Sequence, residues 1–225
     1  MAAPATLFKE TKTSMERFDW DLAITELRRR DKDLGRIIDA MEPRRPQNRG
    51  EMRSPFDALL RSIVYQQLSG KAAKTIHTRL LALFPGHRPS ARALLAMDDE
   101  TLRSAGLSRP KIVAVRDLAM KVAARGVPSK RKLQTMSDEA IIEDLIRIRG
   151  IGQWTVEMLL IFNLDRADVL PATDLGVRRG FMLCRRNESM PEPQELLDAG
   201  ERWRPWRSVA AWYLWRACEE PEKWR

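Results

Sequence analysis

The sequence predicts an all-α protein. Apolar residues recur at three- and four-residue spacing through nearly all of its 225 residues, the signature of amphipathic helices. Ser or Asp stands repeatedly just before such a segment, where an N-cap belongs. No stretch alternates apolar and polar residues as a half-buried strand does, and there is no repeat or low-complexity tract. With 44% hydrophobic residues, the chain can bury one large core or two smaller ones.

The elements follow in order. In "SPFDALLRSIVYQQLSGKAAKTIHTRLLALF", Phe56, Leu59, Leu60, Ile63 and Val64 share one helical face. Ser54 and Pro55 supply a cap and a first-turn proline. Gly70 is expected to break this helix from the next, where Ala73, Ile76 and Leu80 continue the pattern. "SARALLAM" and "DDETLRSAGL" read as short helices opened by Ser90 and Asp98, and Ser108 with Pro110 opens a longer one ended by Gly126. "VPSKRKLQTMS" reads as a basic, solvated connector. Ser137 caps a helix whose first turn holds Asp138 and Glu139, as the helix dipole favours, with Ile141, Leu145 and Ile148 on its inner stripe. Past two glycines, Trp154, Met158 and Ile161 mark one face of another helix. "NLDRADVLPATD" is a loop closed by Pro171, "LGVRRGFMLCRR" a helix, "NESMPEP" a turn and "WRSVAAWYLWRACEE" the last helix.

Lys and Arg number 40 against 31 Asp and Glu, a formal charge of +9. Such an excess suits a polyanionic partner: nucleic acid first, an acidic membrane surface second. No apolar run reaches the ~20 residues of a spanning helix, and "MAAPATLFKETKTS" has no signal-peptide core. Two cysteines, Cys184 and Cys218, are too few for a disulfide framework or a four-thiolate cluster. Free thiols in a reducing cytoplasm are the expectation. His77 and His87 are isolated, so a side-chain metal site is not expected.

The most informative stretch is "LIRIRGIGQWTVEMLLIF", residues 145–162. Gly-Ile-Gly between two helices makes a compact hairpin, with Ile151 turned inward to lock it. Amides at the second helix's start suit an anion such as a phosphate. On these residues alone, an ordinary tight helical hairpin is the better explanation, because so short a motif is weak.

Followed by "VLPATDLGVRRG", this stretch resembles the hairpin, Gly/Pro-rich loop and aspartate of the helix-hairpin-helix DNA glycosylase superfamily. "FDALLRSIVYQQLSGKAA", "AGLSRPKIVAVRDLA" and "ERWRPWRSVAAWYLW" are similar to its 3-methyladenine DNA glycosylase II (AlkA-type) branch, in the same order along residues 52–216. The resemblance implies two helical lobes with an active-site cleft between them and no N-terminal β domain. Residues 55–164 would form the middle lobe with the hairpin. Residues 1–54 would pack against a C-terminal lobe, 165–225, that also carries the aspartate loop.

It also assigns roles. Asp174 matches the catalytic aspartate, although a helix N-cap is its simpler reading. In relatives that also nick the strand, a lysine stands just before the hairpin threonine. Here Trp154 precedes Thr155, which implies a monofunctional N-glycosyl hydrolase without lyase activity. Trp154 and Trp215 match tryptophans of the base pocket, while Met158 stands where the AlkA-type enzyme has a tyrosine. Trp20, Trp203, Trp206 and Trp212 are expected to pack in the interior. Gln67 matches the residue that wedges into DNA when a base is flipped, with Leu68 as its partner. Gln66 and Gln67 could instead bridge helices. Gly150, Ile151, Gly152 and Thr155 would meet the DNA backbone, and main-chain carbonyls of Ile146, Ile148 and Ile151 would hold Na⁺ or K⁺. No iron–sulfur cluster or other cofactor is implied.

The resulting expectation is an enzyme that removes alkylated purines from damaged double-stranded DNA. It would act as a monomer, away from membranes, in the cytoplasm (at the nucleoid in a bacterium). Two alternatives are a glycosylase for uracil or mismatched thymine, and a non-catalytic DNA-binding hairpin module.

Overall fold

The computed structural model describes residues 18–41, 45–46 and 52–224. The stretch "MAAPATLFKETKTS" and other parts of the expected 1–54 segment lie outside them. Among the described residues all regular structure is helical, arranged as thirteen α-helices with short 3₁₀ turns and one π-helical turn.

Helices α1 (Trp20–Arg30) and α2 (Lys32–Ala40) are capped by Asp19 and Asp31. The middle of the chain forms α3 (Pro55–Tyr65), α4 (Gly70–Ala82), α5 (Ala91–Ala96), α6 (Asp99–Ser104), α7 (Arg109–Ala123), α8 (Lys130–Thr135), α9 (Asp138–Leu145) and α10 (Gln153–Met158). Helix α10 runs on into the π-helical turn Leu159–Asn163, closed by the Leu164 amide on the Leu159 carbonyl. After a loop come α11 (Leu175–Arg185), α12 (Pro193–Gly200) and α13 (Arg207–Glu219).

Two apolar cores result. One takes buried side chains from Met52 to Val169, centred on α3, α7 and α10. The other joins α1 and α2 to α11 and α13 through Leu27, Ile37, Val177, Trp203 and Leu214. Trp215 packs against both. Asp31 fastens the second core. It is 2% exposed, ion-pairs with Arg185 at 2.5 Å and accepts the Trp203 indole N–H at 2.8 Å. Burial opposes its charge, yet the Arg185 and Trp203 hydrogen bonds hold its carboxyl below the ordinary range.

Three segments differ from expectation. Gly70 does not break the chain. Helix α3 stops at Tyr65, Gln67 takes a left-handed φ of 56°, and Ser69 caps α4 with Gly70 as its first residue. The basic connector contains α8, because Ser129 caps it and Leu133 is fully buried. That one burial contributes about 2 kcal/mol; Lys132 stays exposed, while the Lys130 ammonium donates to the Met52 carbonyl at 2.8 Å. Helix α12 follows the turn at "NESMPEP" without having been anticipated. Its start is marked by Pro193 and by Glu195, whose carboxylate accepts the Glu192 amide at 2.8 Å.

Candidate active site

The hairpin explains its own glycines. The Ile148 amide donates to the Leu145 carbonyl and the Ile151 amide to the Ile148 carbonyl, each at 3.0 Å, which turns the chain between Leu145 and Ile151. Gly150 has φ 79°, and a Cβ there would lie 3.0 Å from the Ala114 Cβ on α7, so both the backbone and the packing require glycine. Ile148 and Ile151 are 2% and 4% exposed and lock the hairpin into the core. Gly152 caps α10 with extended backbone, and a Cβ there would meet nothing within 4 Å. The following amides, Gln153 and Trp154, have no carbonyl one turn back to bond. The hairpin therefore presents an open, amide-lined face. From α7, Asp117 accepts the Arg149 amide at 2.7 Å and ion-pairs with Lys121.

Asp174 follows a loop in which its own amide bonds the Pro171 carbonyl at 3.0 Å. It does cap α11: Oδ1 accepts the Val177 amide at 2.8 Å. Capping uses only part of the carboxylate. Oδ1 also accepts the Trp215 indole N–H, and Oδ2 accepts the Trp154 indole N–H, each at 2.7 Å. Three residues distant in sequence thus meet at one half-buried carboxylate. Gly176 makes room for this, since a Cβ there would fall 2.8 Å from the Trp215 ring and 3.1 Å from Asp174 Oδ1.

Trp154 is 44% exposed and forms one wall of a cleft of about 610 Å³ lined also by Tyr65, Gln67, Leu68 and Met158. Asp174 and Trp215 lie outside that lining, and the Trp154 indole connects the two regions. Gln67 and Leu68 are exposed on the cleft rim. Trp215 stacks on Phe162 with centroids 5.7 Å apart, and Trp212 meets Phe162 edge-on. Trp212 packs against the second core, as expected of it, and touches Phe162 from there. Trp20 and Trp203 are buried.

Some assigned residues stand apart. Thr155 is 5% exposed and its hydroxyl faces Gln66 Nε2 at 3.4 Å. Ile151 is a core side chain, so these two reach a surface partner through main chain alone. Gln66 is a bridge, its amide donating to the Gly150 carbonyl at 2.8 Å, whereas Gln67 makes no such tie. Sequence reasoning missed Phe162, and it missed Glu157, which is 5% exposed. Glu157 Oε1 accepts from Gln153 at 2.9 Å, and Oε2 has no hydrogen-bond partner among the described residues. Burial raises its pKa, with Asp174 adding to the effect and the Gln153 bond opposing it. Of the thiols, Cys184 is buried and its pKa is pushed up to about 12. Among the described residues, no group of three His, Cys, Asp or Glu side chains is placed to hold a metal ion, and no helix is long and apolar enough to cross a membrane.

Comparison with known proteins gives this arrangement its context. The model of the HhH-GPD superfamily base excision DNA repair proteins matches residues 60–205. The chain belongs to this superfamily. It is 37% identical over 190 residues to DNA-3-methyladenine glycosylase 1 of Schizosaccharomyces pombe, covering 84% of this chain and 83% of that protein. The solved Schizosaccharomyces pombe 3-methyladenine DNA glycosylase in complex with abasic DNA superposes with a TM-score of 0.81 at 35% identity, covering 88% of this chain and 97% of the other. A Bacillus halodurans DNA-3-methyladenine glycosidase gives 0.80 at 33%, covering 93% and 95%. The all-helical, two-lobed HhH-GPD fold expected from the hairpin and aspartate motifs is the fold observed.

Proposed function

We propose that this HhH-GPD protein is a monofunctional DNA glycosylase. It flips alkylated purines of the 3-methyladenine and 7-methylguanine type out of duplex DNA and removes them with water, leaving an abasic site. The observation that carries this reading is the Asp174 carboxylate held by the Trp154 and Trp215 indoles beside an aromatic cleft. Cleavage of an N-glycosidic bond builds positive charge on the deoxyribose. A fixed carboxylate stabilises that charge and orients or deprotonates the attacking water. The two indole donors set its orientation before substrate arrives and leave acceptor capacity on Oδ2.

A purine methylated at N3 or N7 is cationic and already a good leaving group. Recognition can therefore rest on electron-rich rings rather than on a general acid. Trp154, Trp215 and Met158 would receive the base, backed by Phe162. Trp154 occupies the position of the lyase lysine, so no amine attacks the sugar from there. Gln67 and Leu68 would fill the gap left in the stack, and the amides after Gly150 and Gly152 would hold a backbone phosphate. The carbonyls of Ile146, Ile148 and Ile151 suit a monovalent cation. That of Ile148 accepts one amide at 3.0 Å, which leaves a second lone pair. The lobes, 55–164 and the terminal segments 1–54 with 165–225, would close on damaged double-stranded DNA as a monomer.

The test is incubation with DNA treated with a simple methylating agent, followed by chromatography of released bases. Free 3-methyladenine and 7-methylguanine are expected. Release of uracil or mismatched thymine instead would favour the other lesion class, which Met158 in place of tyrosine allows. No released base at all would leave a DNA-binding module.

A further inference from the structure

We propose that Gln66 and Lys111 are positioning residues for base displacement: they fasten the turn that carries Gln67 and Leu68 to the hairpin that holds the DNA backbone. This rests on the glycosylase reading above. The turn between α3 and α4 is short and strained, with Gln67 at φ 56°, a conformation that disfavours a residue with a Cβ. Something must hold it there. Lys111, from α7, places its ammonium 2.5 Å from the Val64 carbonyl and 2.9 Å from the Gln66 carbonyl. It thereby satisfies one carbonyl in the last turn of α3 and the carbonyl just before the left-handed residue. On the other side, the Gln66 side-chain amide donates to the Gly150 carbonyl at 2.8 Å and approaches the Thr155 hydroxyl.

The same helix α7 also grips the hairpin. Ala114 packs against Gly150 and Asp117 accepts the Arg149 amide. Helix α7 and Gln66 therefore join turn and hairpin into one frame. A phosphate docked on the hairpin then fixes where the exposed side chains of Gln67 and Leu68 meet the stack. Loss of Gln66 or Lys111 would leave both surfaces present but unregistered.

Gln66→Ala and Lys111→Met separate this from general damage, and each tests the same turn if the other fails to fold. Three readouts use the full-length protein. Affinity is measured for undamaged duplex. Displacement is followed by fluorescence of 2-aminopurine set beside a paired 7-methylguanine. Single-turnover excision is measured for 7-methylguanine in a fully paired duplex and in a bulge, where the base is already unpaired. Affinity should stay within about twofold. Displacement and excision from paired DNA should fall about tenfold, the order expected when one or two hydrogen bonds to a strained turn are lost. Excision from the bulge should stay within about twofold of wild type. Equal losses on both substrates, or none on either, would overturn the proposal, as would a wild type that raises no fluorescence. A wild type that displaces the base without excising it would fail the glycosylase reading and leave this inference standing.

Discussion

Replacing Gly176 with alanine adds one methyl group at the point where two residues of the site meet. The new Cβ would lie 2.8 Å from Cδ1 and 3.3 Å from Nε1 of Trp215, and 3.1 Å from Asp174 Oδ1. Unstrained carbon contacts are ~3.5–4.0 Å, so the indole must retreat by roughly 0.7 Å. Its 2.7 Å bond to Asp174 would then exceed the normal range, with a loss of ~1–2 kcal/mol of orienting interaction. Misplacement of a reacting group by ~1 Å can cost ~10²-fold in rate, so single-turnover excision of 7-methylguanine should fall ~10- to 100-fold. Stability should hardly change. Alanine is the better helix former by ~1 kcal/mol, and crowding offsets that gain. Gly180→Ala is the contrast. Its Cβ would sit 2.0 Å from the Leu214 carbonyl oxygen, on backbone that cannot yield, so α11 and α13 must part and the protein should lose ~3 kcal/mol or more. Thermal melts and excision rates on both variants distinguish the two effects. Folded Gly176→Ala working at the wild-type rate would refute the claim that Trp215 must hold Asp174.

Three further outcomes follow from the same geometry. Gly152→Asp places a carboxylate in the open space before α10. Filter binding should show weaker affinity for all DNA sequences alike, with the fold unchanged by circular dichroism. Borohydride should trap no covalent adduct, and product DNA should break only after alkali or heat, because the proposed monofunctional reading puts Trp154, not an amine, at the lyase position. Asp31→Asn should destabilise by about 2 kcal/mol at neutral pH, since it removes one of the two carboxylates that hold Arg185 and leaves only Asp33, at 2.6 Å. Asp31's folded pKa lies below its ordinary value of 3.8. Its stabilisation is present above that value and lost as pH falls through the folded pKa, so the gap to the variant in urea melts should close below about pH 4.

The hairpin and the aspartate loop were legible because short-range chemistry marks them. Glycine, proline and capping residues act within a few positions of themselves, so Gly150, Pro171 and Ser137 carry their meaning locally. Asp174 was legible only as two competing readings, and it turned out to be a cap whose remaining acceptors take two indoles. Helix α8 was hidden because a single leucine, Leu133, anchors it among lysines that suggest solvent. Helix α12 was overlooked although Pro193 and Glu195 marked its start. Gln66 could not be separated from Gln67, since its partner Gly150 lies 84 residues away. Nor does sequence alone show that Glu157, a charged residue among helix formers, is buried.

In the proposed reaction Asp174 performs the chemistry rather than merely capping α11. Asp174→Asn tests it most directly, by single-turnover excision of 7-methylguanine and hypoxanthine, with DNA affinity and circular dichroism measured alongside. Asparagine keeps the size and the cap to Val177. It removes the negative charge, and its amide group can no longer accept both indole N–H bonds. The expected outcome is a folded protein with undiminished DNA affinity and a rate loss of ~10²–10³-fold or more. The loss should be larger for neutral hypoxanthine than for cationic 7-methylguanine, whose bond is already labile. A folded variant that released both bases at the wild-type rate would contradict it and leave Asp174 as a helix cap alone.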